Sequence, residues 1–299
     1  MAAANARGEK VAAVDLRQMH RVLELTPEDM TVTVETGCSL ETLQKELAKH
    51  RQWLPIDPPN ASAVSIHEIL SKNLSGPRRF GCGTIREHLI GMKVVLADGR
   101  TIKSGGKVVK NVAGYDLAKL FIGAYDSLGF IAEATFKLRP LPEQERFVAR
   151  HAPSLEELRS IVMSVLNSDL TPVILDAHRL FADDGSGTSL VVGFAGTREE
   201  VEWQSKTASS LGFENSTDLE YESRFWNKAE PVNRISVLPS HLAEAIAKLD
   251  SRPFVARAGN GAVYYRGERI AEATTPPGKL ARRIKSAFDP KNILQELTA

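Results

Sequence analysis

Thiols are scarce in this sequence: Cys38 and Cys82 are the two cysteines in 299 residues. Two such residues make neither a disulfide framework nor a zinc set, and an iron–sulfur cluster needs more thiolates than one chain of this kind supplies. Charge of one sign is missing as well. Lys and Arg number 38 against 37 Asp and Glu, a formal net charge of +1. Electrostatics therefore gives no reason to expect nucleic acid or a membrane surface as partner. No apolar run approaches the roughly 18 residues that span a bilayer, and the opening MAAANARGEK has no apolar core of a secretory signal. The expected location is the cytoplasm, with no direct membrane insertion. No G-x-x-x-x-G-K or G-x-G-x-x-G element follows a strand, which disfavours nucleotide binding through those folds. The 7 histidines are scattered. His178 on an alternating strand reads as a surface or satisfied core residue. His67 and Glu68, adjacent on a helix, point in different directions and do not form an acid–base pair. No catalytic residue and no metal ligand is assigned.

What is present is a clear sequence of strands, caps and glycine loops. Val11 to Leu16 reads as a first strand, and Met30 to Thr36 alternates β-branched residues as a second. Ser39 caps a helix with Leu40, Leu43 and Leu47 on its apolar face. IDPPNAS cannot be helix or central strand. Ser62 to Leu74 places Ile66, Ile69 and Leu70 at helical spacing. Gly76, Pro77, Gly81 and Gly83 then crowd a loop with Arg78, Arg79, Cys82 and Thr84. Its glycines serve either as turn residues or as open amides facing an anion, and both readings stand. Arg78, Arg79, Lys107 and Lys110 are either solvated loop charge or a clamp for a small carboxylate. Cys82, in a glycine loop, is oddly placed for an inert thiol.

The stretch from Gly91 to Pro142 organises the rest. Met92 to Ala97 and Arg100 to Ser104 form a hairpin turning at Asp98-Gly99. Gly105-Gly106 opens a basic segment with Lys107, Lys110 and Asn111. Asp116 caps a short helix bearing Leu117, Leu120 and Phe121. Gly123 and Gly129 bracket a tight passage. The closing strand alternates Phe130, Ala132, Ala134, Phe136 and Leu138 against Glu133, Thr135, Lys137 and Arg139, and Pro140 and Pro142 stop it. Beyond it, strands at Arg146–Arg150, Pro172–Leu180, Thr188–Ala195 and Arg234–Leu238 alternate with helices starting at Ser154, Thr197 and Ser240. A hairpin at Pro253–Arg266 turns at Gly259-Asn260-Gly261, and a basic helix lies in Pro277–Leu294. This pattern predicts an antiparallel sheet covered by helices on one face.

These blocks in this order resemble one family. VVLADGR, GGKVVKNVAGYDLAKLFIGAYDSLGFIAEATFKLRPLP, DLRQMHRVLEL, MTVTVETGCSL, LPIDPP, NLSGPRR and RIKSAFDPKNIL are similar to the FAD-binding E subunits of bacterial glycolate oxidase complexes. Those subunits are flavoproteins of the vanillyl-alcohol-oxidase (PCMH) type. The resemblance implies an α+β fold. A PCMH-type FAD-binding domain over residues 1–142, short of its first glycine loop, precedes an α+β cap domain over 143–274. A C-terminal helix in 275–299 returns to the first domain. FAD is the implied cofactor. Ser65, Ile66, His67, Glu68, Ser75 and Gly76 are expected at its pyrophosphate, and Gly83, Thr84, Gly123, Gly129 and Ile131 at its other parts. The implied activity is oxidation of glycolate, a small 2-hydroxy acid. A second flavin-binding subunit and an iron–sulfur subunit are the implied partners, through which the complex could touch a membrane. Three departures stand out. Several dozen family residues before Met1 are lacking, His67-Glu68 replaces a glycine pair, and Asp126-Ser127-Leu128-Gly129 and Gln295-Glu296-Leu297 replace G-T-L-G and N-P-G. They motivate an alternative, a structural or assembly subunit that has lost FAD.

Overall fold

The computed structural model describes residues 15–16, 18–106, 117–180, 187–216, 219–270 and 277–297. The strand expected at Val11–Leu16, apart from its last two residues, lies outside them. So do Lys107, Lys110, Asn111 and Asp116. No helix among the described residues is long and apolar enough to cross a membrane.

The first half builds a five-stranded antiparallel sheet in the order β1-β2-β6-β4-β5. Its elements are β1 (Val22–Thr26), β2 (Thr31–Glu35), α1 (Leu40–Ala48), β3 (Gln52–Trp53), α2 (Ile66–Lys72), α3 (Arg79–Cys82), α4 (Ile85–His88), β4 (Leu89–Val95), β5 (Thr101–Gly105), α5 (Ala118–Phe121), β6 (Phe130–Lys137) and β7 (Arg139–Pro140). Sequence explains the helix starts. Ser39 and Ser65 accept hydrogen bonds from the amides of Thr42 and Glu68, satisfying donors that a helix leaves open at its first turn. Leu40, Leu43 and Leu47 from α1 and Ile66, Ile69 and Leu70 from α2 are fully buried against Val32, Val34, Val94, Ala134 and Phe136 of the sheet. The β4–β5 hairpin turns at Gly99, whose φ of 83° glycine adopts without a side-chain clash.

One expectation fails in β6. Lys93 pairs with Glu133 but the next residue, Val94, pairs with Ile131, so Ala132 is an inserted residue with no partner on β4. This β-bulge reverses the parity of the strand. Ile131, not Ala132, continues the core face of Ala134 and Phe136, and Phe130 turns toward α2.

The second half forms a seven-stranded antiparallel sheet, β11-β8-β10-β9-β13-β14-β12. Its elements are β8 (Gln144–Ala152), α6 (Leu155–Leu166), β9 (Ile174–Arg179), β10 (Thr188–Gly196), α7 (Arg198–Ser210), β11 (Glu214–Ser216), α8 (Glu220–Trp226), β12 (Val232–Ser236), α9 (Leu242–Ala247), β13 (Phe254–Arg257) and β14 (Ala262–Arg266). Ser154 and Thr197 cap α6 and α7, the latter in a reciprocal box with Glu200. Leu158, Ile161 and Val165, with Val201, Leu242 and Ile246, pack these helices and α9 on one face over Leu190, Val192 and Ala256. The other face is not bare, as expected above. Tyr221 and Phe225 of α8 cover Val191 and Val255 there.

The closing helix α10 (Lys279–Phe288) reaches back to the first sheet. Phe288 meets Phe121 edge-on at 5.4 Å. Lys285 Nζ donates to the Ser127 carbonyl at 2.9 Å and to Asp289 at 2.6 Å. Asp289 also accepts the amides of Ile293 and Leu294, which accounts for the Asp of DPKNIL.

Candidate functional site

Two clusters assemble from residues expected at a cofactor. The first joins the start of α2 to the passage 123–131. Gly123 donates its amide to the Leu70 carbonyl, and Tyr125 to Ser71, so the passage clings to the helix. Tyr125 and Asp126 both hold left-handed backbone, φ 50° and 60°, a strained pair of non-glycine residues in a place where strain often accompanies function. Asp126 thereby reaches His67, with Nε2 to Oδ2 at 3.1 Å. His67 Nδ1 lies 3.2 Å from the Ile131 carbonyl, exposed by the bulge, and its ring stacks on Phe130. Both neighbours of the imidazole are oxygen acceptors, so only a ring protonated on both nitrogens donates to both. The Thr36 hydroxyl also donates to Ile131 O, at 2.6 Å.

The amides at this helix start are taken. Ile66 donates to Cys38 O at 2.9 Å, His67 to Thr36 O at 2.7 Å, and Glu68 to the Ser65 hydroxyl at 3.1 Å. Ile66 itself is core, and Glu68 turns outward to Lys72 at 2.6 Å. Ile131 contributes a carbonyl, since its side chain is buried in the core.

The second cluster brings LPIDPP and SGPRR together. Arg78 donates its amide to both Asp57 oxygens at 3.2 Å and its Nη1 to Oδ2 at 2.9 Å. Nε and Nη2 form a bidentate pair with Glu145 of β8 at 3.0 and 2.7 Å. Arg78 thus ties the two sheets together, with its side chain only 14% exposed. It is neither solvated loop charge nor an unoccupied clamp. Burial lifts the Asp57 carboxyl to about 6 despite these donors. Gly76 lies against Asp57 so closely that a Cβ would meet the Asp57 carbonyl oxygen at 1.7 Å. Ser75 and Gly76 are both buried, and their amides find no acceptor among the described residues.

Of the remaining expected residues, Gly83 has φ 84° and Thr84 forms a capping box with Glu87 at the start of α4. Gly129 is hemmed in by Val94 and Phe121. Cys82 is buried and its thiol is pushed up by desolvation, which opposes a reactive or covalently linked role. His178 stacks on Tyr221 at 4.5 Å, and burial pushes its pKa down to about 4. Sequence reasoning missed Asp57 and Glu145 as partners of Arg78, and Thr36 and Phe130 as partners of the His67 cluster. The acidic residue in LPIDPP beside two arginines downstream was the available signal.

The residues fit FAD at one of the two places expected for its pyrophosphate. Amides 66–68 are spent, whereas those of the buried residues Ser75 and Gly76 find no acceptor among the described residues, which is uncommon without a ligand. Nearby polar groups are also unsatisfied among the described residues: Asn73 Oδ1, whose Cβ lies beside Gly123, and Ser127 Oγ in the following turn.

The FAD binding domain family matches residues 3–105. Glycolate oxidase subunit GlcD of Bacillus subtilis (strain 168) is 31% identical over 160 residues, 54% of this chain and 34% of that protein. Glycolate oxidase subunit GlcE of Escherichia coli (strain K12) is 32% identical over 148 residues, 49% of this chain and 42% of that protein. The chain therefore spans between a third and a half of the curated relatives' lengths. Alkyldihydroxyacetonephosphate synthase has the same fold, with a TM-score of 0.70 at 17% identity, covering 94% of this chain and 65% of that one.

Proposed function

We propose that this chain is the FAD-binding part of an oxidoreductase acting on a small 2-hydroxy acid of the glycolate type, within a multi-subunit complex. The observation that carries the cofactor assignment is that the buried residues Ser75 and Gly76, in a stretch matched to the FAD binding domain family, have amides with no acceptor among the described residues. Ser75 and Gly76 would hold phosphate oxygens, and Asn73, Gly123 and Ser127 would contact other polar parts of the cofactor. Gly83, Thr84 and Gly129, with the backbone of Ile131, would lie at its other parts. FAD supplies hydride acceptance from the substrate α-carbon. The chain's own residues bind and orient; Arg78 joins the Asp57 loop to β8 of the second sheet. The substrate class follows from the glycolate oxidase relatives. Both cysteines are buried, so onward electron transfer is assigned to partners, a second flavin-binding subunit and an iron–sulfur subunit. The complex would work in the cytoplasm and meet a membrane only through those partners. In this reading residues 1–142 carry the cofactor, 143–274 form the cap and 275–299 hold the closing helix.

The test is anaerobic addition of glycolate to the chain loaded with FAD. Loss of the visible flavin band is expected. A bound flavin whose band is unchanged by glycolate and by other 2-hydroxy acids sinks the oxidoreductase assignment.

A second function is favoured by one observation, the His67–Asp126 contact beside a helix start whose amides are spent. A subunit that has exchanged FAD contacts for internal ones would serve assembly alone. Co-purification in a complex without flavin on this chain is its signature.

A further inference from the structure

On the face of the second sheet that α8 covers, Arg257 of β13 is 2% exposed and faces two carboxylates. Asp176 of β9, 1% exposed, accepts from Nη1 and from the Tyr221 hydroxyl. Glu222 of α8 takes the guanidinium as a fork, Nη1 to Oε1 at 2.7 Å and Nη2 to Oε2 at 2.9 Å. Two carboxylates converge on one guanidinium in a buried site where desolvation pushes the Asp176 carboxyl up to about 7, and the arrangement leaves polar atoms behind. Asp176 Oδ1 and Arg257 Nε are buried without partners among the described residues. A cluster whose only task was to tether α8 would need one carboxylate, and pairing with the second costs desolvation without return. The two carboxyl groups are not equivalent. Asp176 is deep, while Glu222 lies at the rim with its side chain 15% exposed. The positive charge of Arg257 also favours the ionised form of Asp57.

We propose that the Arg257 fork is a binding site for a small carboxylate, which Glu222 of α8 occupies until the ligand displaces it. A planar guanidinium matches a carboxylate in the same two-bond geometry whether it comes from a side chain or a free acid. Asp176 and Tyr221 hold the fork in place, and the ligand enters from the rim as Glu222 leaves. This site deepens the assignment to 2-hydroxy acids and rests on it for the ligand class.

Trp226 reports the exchange, because its indole donates to Glu222 Oε2 at 2.9 Å. In a full-length chain carrying Trp53→Phe and Trp203→Phe, Trp226 is the one tryptophan left of 3. Glycolate is titrated against its fluorescence at constant ionic strength, with chloride as control. A saturable glycolate-specific change is expected. Glu222→Gln, which removes the competing charge, should tighten it about tenfold, and Arg257→Lys, which lacks the fork, should abolish it. Absence of a saturable response in both the parent and Glu222→Gln overturns the proposal, as does a response that Arg257→Lys leaves unchanged. Where Arg257→Lys fails to fold by circular dichroism, the Glu222→Gln comparison decides, and an unchanged affinity overturns it. The readout involves no flavin, so its failure is separate from failure of the flavin test.

Discussion

His67 lies nearly flat on Phe130, with ring centroids 4.2 Å apart and planes inclined by 22°. The stack exists because the bulge at Ala132 rotates Phe130 out of the sheet's core face and aims the Ile131 carbonyl at the same imidazole. With Asp126 on the far nitrogen, His67 fastens α2 to the passage 123–131 by polar contacts at both ring nitrogens and a stack. His67→Ala should cost about 2 kcal/mol in urea unfolding, the sum of a stranded polar partner and a lost ring contact. A cycle with Asp126→Ala should return a coupling of about 1 kcal/mol. A loss within error of zero contradicts this role.

Gly76→Ala should be the most damaging glycine change at the cofactor cluster. Its Cβ would fall on the Asp57 carbonyl, which is backbone and cannot swing aside. The Asp57 loop must move, at a cost of about 3 kcal/mol. Thermal melting should show the loss, and FAD affinity should fall with it. Gly99→Ala serves as control for conformation without collision, since Gly99 has positive φ and no neighbour within 4 Å.

Arg78→Met should weaken the joint between the two sheets. It strands Asp57 and Glu145, and removing one member of a largely buried ion pair costs about 3 kcal/mol. Restoring neutrality with Asp57→Asn and Glu145→Gln should recover part of that loss. Denaturant unfolding of the set measures both, and the absence of any recovery contradicts the electrostatic origin.

Glu35 predicts a pH dependence. Arg21 donates to it from its amide at 2.9 Å and its guanidinium at 2.7 Å, holding the carboxyl down to about 2 from an ordinary 4.5. A depressed acid contributes stability above the unfolded value, and loses it as pH falls through the folded one. The loss therefore runs from pH 4.5 down to about 2. Glu35→Gln should flatten the stability profile in that window and leave its slope above pH 5 unchanged. Urea midpoints across the range check it.

Local signals were legible wherever the chemistry is local. Ser39, Ser154 and Thr197 cap the helices expected of them, because a cap is a contact between residues three apart. Alternation in β6 misled for a physical reason. A bulge shifts parity without changing composition, so Phe130 and Ala132 look like core in sequence while Ile131 takes that role. The α8 helix was missed although Tyr221 and Phe225 stand four apart, since one apolar pair is too short a period to separate helix from loop. The candidate site was legible only in parts. LPIDPP and SGPRR each signalled a loop, but the bond between Asp57 and Arg78 joins residues 21 apart, and that between His67 and Asp126 joins residues 59 apart. Spent and open amides, which separate Ile66–Glu68 from Ser75–Gly76, are properties of packing and have no sequence signature.

The most direct test of the cofactor assignment is titration of the folded, full-length chain with FAD, followed by the quenching of flavin fluorescence. One FAD per chain, weakened by Gly76→Ala and little affected by Glu68→Gln, is the predicted result. A chain that is folded by circular dichroism and binds no FAD at any concentration reached would contradict it.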